Sequence, residues 1–490
     1  MLFNSYEFIF LFLPLSLFGY FYFNYKRLII ASKVWLVFSS LFFYSWWNII
    51  YLPLIVTSVL FNFAIASLII EFDELNKKYF DKKTILIIGL IFNIGLLAYF
   101  KYADFFISNT NNIFNTEIAI LNLALPLAIS FFTLQQIAFL IDSYEGLAKE
   151  KNLLNYTIFV TFFPQLIAGP IVHHKEMMPQ FVSIKNKVKN YNNIALGFFI
   201  FSIGLFKKLV IADTFALWAT AGFDSATQLN LIEAWITSLS YTFQLYFDFS
   251  GYTDMAIGAA LLFNIKLPLN FNSPYKATGI IDFWQRWHIT LSNFITVYIY
   301  TPLVRSFQEL TYHKAMLATF ITFLIAGLWH GASWMFVIFG GLHGLGLVIN
   351  NYWRKTKIKL NKIVAWFITF NFVNFTMVFF RAEDLKAANK VLSGMFSLDN
   401  IMLPARLEGL MPFLNNYGIE FGAFIQNIQG RSFTPIFLIM GFILVLFFEN
   451  SNKKLHNFKF NLLNSFILIF VFTTSFYKLS GYSEFLYFRF

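Results

Sequence analysis

His330 lies in the segment GLWHGASW at 327–334, between Trp329 and Trp334, inside a run at 315–353 without Asp, Glu, Lys or Arg. An ionisable side chain at membrane depth is costly, and function is the default explanation for it. Neutral imidazole costs less to bury than a carboxylate and works as base or acid near neutral pH. The alternative is a core histidine tied to a backbone carbonyl. A second constellation, DFWQRWHITL at 282–291, sets Arg286 and His288 among Trp284 and Trp287. Read functionally, His288 faces the same cavity as His330, and Arg286 meets a phosphate-bearing ligand from the cytosol. Read structurally, it is an interfacial anchor, because Trp favours the membrane boundary. A third segment, YFDFSGYTDM at 246–255, repeats polar groups every two residues: Asp248, Ser250, Tyr252 and Asp254. These would spread around a regular helix, so the backbone is expected to break at Gly251. Structural hydrogen bonding inside a helix bundle is the competing account.

Gln165 belongs to FPQLIAGPIVHH at 163–174, which reads as a loop on the cytosolic side. His173 and His174 are adjacent, so they point apart and make a poor metal pair. His343, in GGLHG at 340–344, reads as a helix-packing histidine. No G-x-S-x-G elbow, P-loop or H-E-x-x-H occurs, which disfavours a serine hydrolase, an ATPase and a zincin. There are no cysteines, so disulfides, thiolate metal sites and a thiol relay are excluded. No bound metal or cofactor is expected.

These groups need elements to hold them. The chain has 490 residues, 58% hydrophobic, 21% aromatic and 12% charged, with 68 Phe. Soluble domains carry roughly a quarter charged residues. The composition excludes a cytosolic enzyme, a disordered chain and a nucleic-acid binder, and leaves an all-α polytopic membrane protein. A spanning helix needs about 20 apolar residues. Uncharged stretches at 8–25, 34–70 (two helices, broken near Trp46–Pro53), 84–100, 118–141, 190–206, 315–353 (two helices, hinged at 331–333), 363–380, 432–448 and 460–477, with a longer segment near 231–262 interrupted by Asp248 and Asp254, predict about twelve crossings. The apolar stretches 152–172 and 287–304 hold Pro, Gly or several polar residues and read as re-entrant or interfacial segments. Irregular backbone at membrane depth is tolerated only where protein or a water-filled cavity satisfies it, so both are expected to line a cavity.

With the N-terminus outside, the inner loops hold 26 of the 36 Lys and Arg. The net charge of +11 thus reads as positive-inside bias and not as a phosphate-backbone footprint. Lys207 and Lys208 fall awkwardly toward the outer end of their span. Residues 1–7 contain no basic residue, so the first span reads as a retained anchor. Both termini are expected outside. The external loop 381–431 begins with an amphipathic stretch, 381–396, expected to lie on the membrane surface. The chain reads as a single domain, 1–490.

Six segments occur in order: FFPQLIAGPI, GLFKKLVIAD, YTFQLYFDFSGYTDMAIG, NFNSPY, FWQRWHITLS and GLWHGASW. Together they resemble the membrane-bound O-acyltransferases of the alginate and peptidoglycan O-acetylation type, strongly over about 80–380. The aromatic tail at 485–490 resembles that subgroup's C-terminus. The resemblance implies a many-helix membrane fold around a central funnel. It implies that His330 is the essential histidine and His288 the supporting one. From the residues themselves, Arg286, Trp287, Trp329, Asp248, Ser250, Tyr252, Asp254 and Gln165 are expected to bind substrate or line the tunnel. Residues 296–305 depart from the family pattern, where an Arg-Asp pair and a Pro-Leu-Gly-Gly turn are usual.

The activity so implied is an acetyl relay across a bacterial inner membrane. Acetyl-CoA is the expected donor, an extracytoplasmic esterase-like protein the expected acceptor, and a cell-wall or extracellular polysaccharide the final target. D-Alanyl transfer from a carrier protein and a non-catalytic transporter of an acylated or lipid-linked substrate are the alternatives. Membrane lipid is an expected partner and nucleic acid is not.

Overall fold

A computed structural model describes residues 1–72, 81–398, 400–459, 461–479 and 485–486. Helix dominates. Among the described residues the strands are two short parallel segments, Ile401–Pro404 and Ile419–Gly422, with Ile401 opposite Ile419. Each of the twelve expected spans contains a helix. Seven are long and apolar enough to cross a membrane by length and composition. Three more are shorter but apolar: Ile29–Ser45, Thr434–Phe447 and Leu462–Lys478. The other two are Ile129–Tyr144 and Leu231–Leu262.

The breaks fall where local chemistry demands them. Ile29–Ser45 stops before Asn48, whose side chain accepts from the Ile50 N–H and so opens the next turn, with Pro53 early in Leu52–Ile70. The stretch at 152–172 is broken as expected: Leu153–Thr161 ends at Phe162, and only a single turn, Phe163–Leu166, follows before irregular backbone. The hinge at 331–333 is also present, between Tyr312–His330 and Trp334–Lys355.

Four expectations need correction. The span at 118–141 is irregular until Ala128, and its helix is Ile129–Tyr144; Pro126 supplies no N–H and disfavours helix before it. The helices at 84–100 and 190–206 run on through π-turns to Phe114 and Ser225. Gly251 does not break the backbone, because Leu231–Leu262 is one continuous helix. Its Asp248, Ser250, Tyr252 and Asp254 are all buried, so no break is needed to hide them. Finally, the amphipathic helix Leu385–Phe396 packs its Ala388, Val391, Gly394 and Met395 face onto the chain, and Lys390 Nζ donates to the Phe223 and Ala226 carbonyls. Amphipathicity alone does not distinguish a lipid surface from a protein one.

The chain forms two compact units. One comprises 1–205, 252–269 and 454–490; the other comprises 206–251 and 270–453. In the first, buried amides join helices. Asn62 and Asn93 exchange hydrogen bonds at 2.6 and 3.2 Å, Gln136 donates to Ser58, and Tyr156 donates to Gln136. Such bonds hold helices together where apolar contact gives little preference over lipid. Gly197 and Gly258 meet so closely that a Cβ on Gly258 would lie 2.6 Å from the Gly197 carbonyl.

In the second unit the same device builds the 312–355 hairpin. A Cβ on Gly340 would stand 2.4 Å from the Phe323 carbonyl and 2.9 Å from Gly327 Cα. The awkward Lys208 is explained here as well. Its side chain is 3% exposed, and Nζ bonds Asp248 at 2.8 Å and Asp213 at 2.9 Å. A cation far from the basic loops is thus held by two carboxylates of its own chain.

Gly340→Val should push the hairpin helices apart and lower stability by about 1–3 kcal/mol, measured as a drop in the thermal midpoint of the detergent-purified protein. Lys208→Met should cost about 3–5 kcal/mol, because it strands the buried Asp248 carboxylate. Adding Asp248→Asn should recover part of that loss; a double variant no more stable than the single one would refute the pairing argument.

Candidate active site

Asn270 organises the segment around His288. Its backbone carbonyl accepts the Ile289 N–H at 2.9 Å. Its side-chain Oδ1 lies 3.2 Å from the Thr290 N, 2.9 Å from Thr290 Oγ1 and 3.0 Å from His288 Nδ1. A backbone N–H only donates, so the amide atom facing Thr290 must be the oxygen. His288 Nδ1 must then carry a proton to donate to the same oxygen, which makes Nε2 the basic nitrogen of the neutral ring. A second backbone bond, from the Asn272 N–H to the Arg286 carbonyl at 2.8 Å, ties the two strands of this loop together.

The loop holds His288 in the left-handed region, with φ 44° and ψ 53°. For a residue with a Cβ this costs about 1–3 kcal/mol and survives only where neighbours over-determine it. The Asn270 clamp does so. The ring is 1% exposed and stands edge-on to Phe249, 4.8 Å between centroids. A buried, oriented imidazole with a defined basic nitrogen is suited to polarising or accepting a proton.

His330 ends its helix at the hairpin tip. It is 4% exposed, with Phe380 at 5.1 Å and Phe339 at 6.1 Å. A chain of rings connects the two histidine neighbourhoods within the unit. Trp287 stacks on Phe283 at 5.6 Å, Phe283 lies 6.3 Å from His343, His343 lies 4.5 Å from Phe339, and Phe339 faces His330.

His343 is the structural histidine of this chain of rings. Trp284 Nε1 donates to its Nδ1 at 3.2 Å. Thr376 Oγ1 donates to the Val373 carbonyl at 2.8 Å, so its oxygen accepts from His343 Nε2–H at 2.9 Å. Both ring nitrogens are engaged, which agrees with the packing role read from its position.

The other expected site residues divide between the units. Arg286, Trp287, Trp329, Asp248 and Ser250 share the unit of both histidines; Tyr252, Asp254 and Gln165 belong to the other. Arg286 is partly exposed and paired with Asp282 at 2.6 Å. Trp287 and Trp329 are buried, as are Ser250 and Asp254, and Asp248 is the partner of Lys208. Tyr252 stacks on Phe3 at 4.9 Å and meets Phe485 edge-on at 4.8 Å, so the aromatic tail begins packed; residues 487–490 lie outside the described residues. Gln165 Nε2 donates to the Phe159 carbonyl at 2.7 Å and supports the broken segment at 152–172. The stretch 287–304 is more helical than expected: after the His288 kink, helix runs through a π-turn at 296–300 to Arg305.

His173 and His174 approach different carboxylates. His173 approaches Asp142 at 3.9 Å and His174 approaches Glu150 at 3.5 Å. At Glu150 burial acts upward on the carboxyl pKa, but the nearby His174 and hydrogen bonds from the Asn152 N–H and the Asn155 amide hold it below the usual carboxylate range. Asn270 begins the NFNSPY motif, whose spacing alone assigns it no role. The available signal was an amide beside a turn-forming Asn-Ser-Pro, upstream of a histidine among tryptophans.

The family model described as MBOAT, membrane-bound O-acyltransferase family, matches residues 143–382. The chain is 50% identical over 446 residues to a peptidoglycan O-acetyltransferase of Helicobacter pylori, covering 85% of this chain and 83% of the relative. It is 35% identical over 422 residues to the probable alginate O-acetylase AlgI of Pseudomonas aeruginosa, covering 84% and 78%. A teichoic acid D-alanyltransferase of Streptococcus thermophilus is 29% identical over 245 residues, covering 48% of this chain and 59% of the relative. A chain with apolar spanning helices, a match to the family's model and 50% identity to an O-acetyltransferase over 85% of its length belongs to the membrane-bound O-acyltransferase family, as a multi-pass membrane enzyme that transfers acyl groups to oxygen.

Proposed function

We propose that this enzyme takes an acetyl group from a cytosolic thioester, acetyl-CoA, and passes it across the bacterial inner membrane for O-acetylation of peptidoglycan. The observation that carries the polymer and the acyl group is the 50% identity to a peptidoglycan O-acetyltransferase over most of both chains. The D-alanyl reading has weaker support, since that similarity covers about half of this chain. A transporter without chemistry is disfavoured by membership of an acyltransferase family. Both termini face outside, in keeping with the positive-inside charge layout.

His330 is the reacting imidazole. It removes the proton from the acceptor hydroxyl as that oxygen attacks the thioester carbonyl; the thiolate leaves and takes the proton from His330. In the covalent variant the acetyl rests on imidazole nitrogen before reaching the hydroxyl. Arg286, on the basic inner side, draws in the donor's phosphates. His288 positions or polarises, with Asn270 fixing its tautomer so that Nε2 presents the lone pair. Within the unit that holds both histidines, Trp287, Trp329, Asp248 and Ser250 shape the surrounding passage. An apolar surround protects the thioester from hydrolysis. The immediate acceptor is the serine of a separate extracytoplasmic esterase-like partner, which hands the acetyl group to the polysaccharide.

His330→Ala should lower transfer by about 10²–10⁴-fold at unchanged membrane abundance. The readout is base-labile acetate on isolated wall muropeptides, together with label reaching the partner from radiolabelled acetyl-CoA in proteoliposomes. Acetylation retained in the variant removes His330 from the chemistry, and label that crosses without being bound covalently favours transport. Asn270→Ala should cost about 10²-fold in the same assay by releasing His288 from its orientation, while Asn270→Asp, which keeps the acceptor oxygen, should retain more activity than the Ala variant.

A further inference from the structure

A cavity of about 850 Å³ lies between the 278–285 segment and the helices Trp334–Lys355 and Lys362–Arg381, within one unit and on residues the mechanism does not use. Its wall is apolar: Ile280, Ile349, Ile368 and Phe372. Its rim is basic: Arg354, Lys359 and Lys362. Asp282 is the acidic residue of its lining, and that carboxylate is engaged by Arg286 at 2.6 Å. The rim therefore offers net positive charge.

The basic loop is held in place. Trp353 Nε1 donates to the Ile358 carbonyl at 3.1 Å, and Thr356 Oγ1 donates to the Trp353 carbonyl at 2.8 Å. Lys357 takes the left-handed conformation, φ 60°, that turns the chain back over the cavity. The apolar wall is also open: Ile349 is 57% exposed and Ile368 53%. On spanning helices such faces meet acyl chains and not water. A soluble phosphate ligand has no use for that side.

We infer that this cavity is a binding site for an anionic phospholipid, with acyl chain against Ile349, Ile368 and Phe372 and phosphate under Arg354, Lys359 and Lys362. Basic pockets between spanning helices at a cytosolic boundary recognise such headgroups, and the segment 354–362, between the expected spans 315–353 and 363–380, carries five Lys or Arg and is an inner loop when the N-terminus is outside. The other unit carries the same combination in a cavity of about 800 Å³, where Arg27, Lys187 and Lys189 stand beside Phe18 and Tyr22.

The absence of cysteine makes the test local. A Cβ on Gly279 would meet no clash and make only ordinary contact, 3.6 Å from the Asn350 amide on the cavity wall, so Gly279→Cys places one thiol at the cavity. In full-length protein purified in maltoside detergent, dioleoylphosphatidylglycerol should slow maleimide alkylation of that thiol, and dioleoylphosphatidylcholine should not. Adding Arg354→Ala, Lys359→Ala and Lys362→Ala should weaken the protection about 100-fold in lipid concentration. Equal protection by the zwitterionic lipid, protection indifferent to the three rim substitutions, or protection by coenzyme A in place of lipid would each overturn the assignment, the last by giving the cavity to the acyl donor.

Discussion

Hydrocarbon supplies no hydrogen bonds, so each polar group carried into the bilayer must find its partner within the chain. That constraint orders the second unit. Lys208 is held by Asp248 and Asp213, and His343 is engaged at both nitrogens by Trp284 and Thr376. The Asn270 oxygen gathers His288, the Thr290 hydroxyl and the Thr290 N–H. The same rule keeps Leu231–Leu262 helical through Gly251, because unwinding there would expose more backbone groups than the side chains it would accommodate.

Within this rule the two catalytic candidates are built differently. His288 is positioned by strain: a left-handed residue, locked by a clamp that also selects its tautomer. His330 is positioned by packing, at the end of a helix whose partner approaches through Gly327 and Gly340 and whose ring stands against Phe339 and Phe380. One device fixes a nitrogen, the other fixes a location. An acyl-transfer site needs both, since proton transfer depends on direction and attack depends on distance.

Much of the helical layout was legible because hydropathy and breaker residues are local properties. The hairpin hinge after His330, the stop before Asn48 and the broken stretch at Pro164 all follow from nearby residues. Local rules misled where partners were distant. Alternating polar residues around Gly251 suggested a break, but burial on all sides removed the need for one. The amphipathic 385–396 helix showed its two faces in sequence, yet what covers the apolar face was a matter of tertiary contact.

The order of its motifs resembles the membrane-bound O-acyltransferases; composition and spacing by themselves determined that this chain is a many-helix membrane protein and that His330 and His288 are ionisable groups set in apolar sequence. These conclusions rest on each residue's own transfer cost and on short-range order. Only the tertiary structure decided that Asn270 sets the His288 tautomer, that Lys208 belongs with Asp248, and that His343 is structural. Those assignments depend on which donor meets which acceptor across 18, 40 and 59 residues of chain, and a linear pattern does not specify pairing at that range.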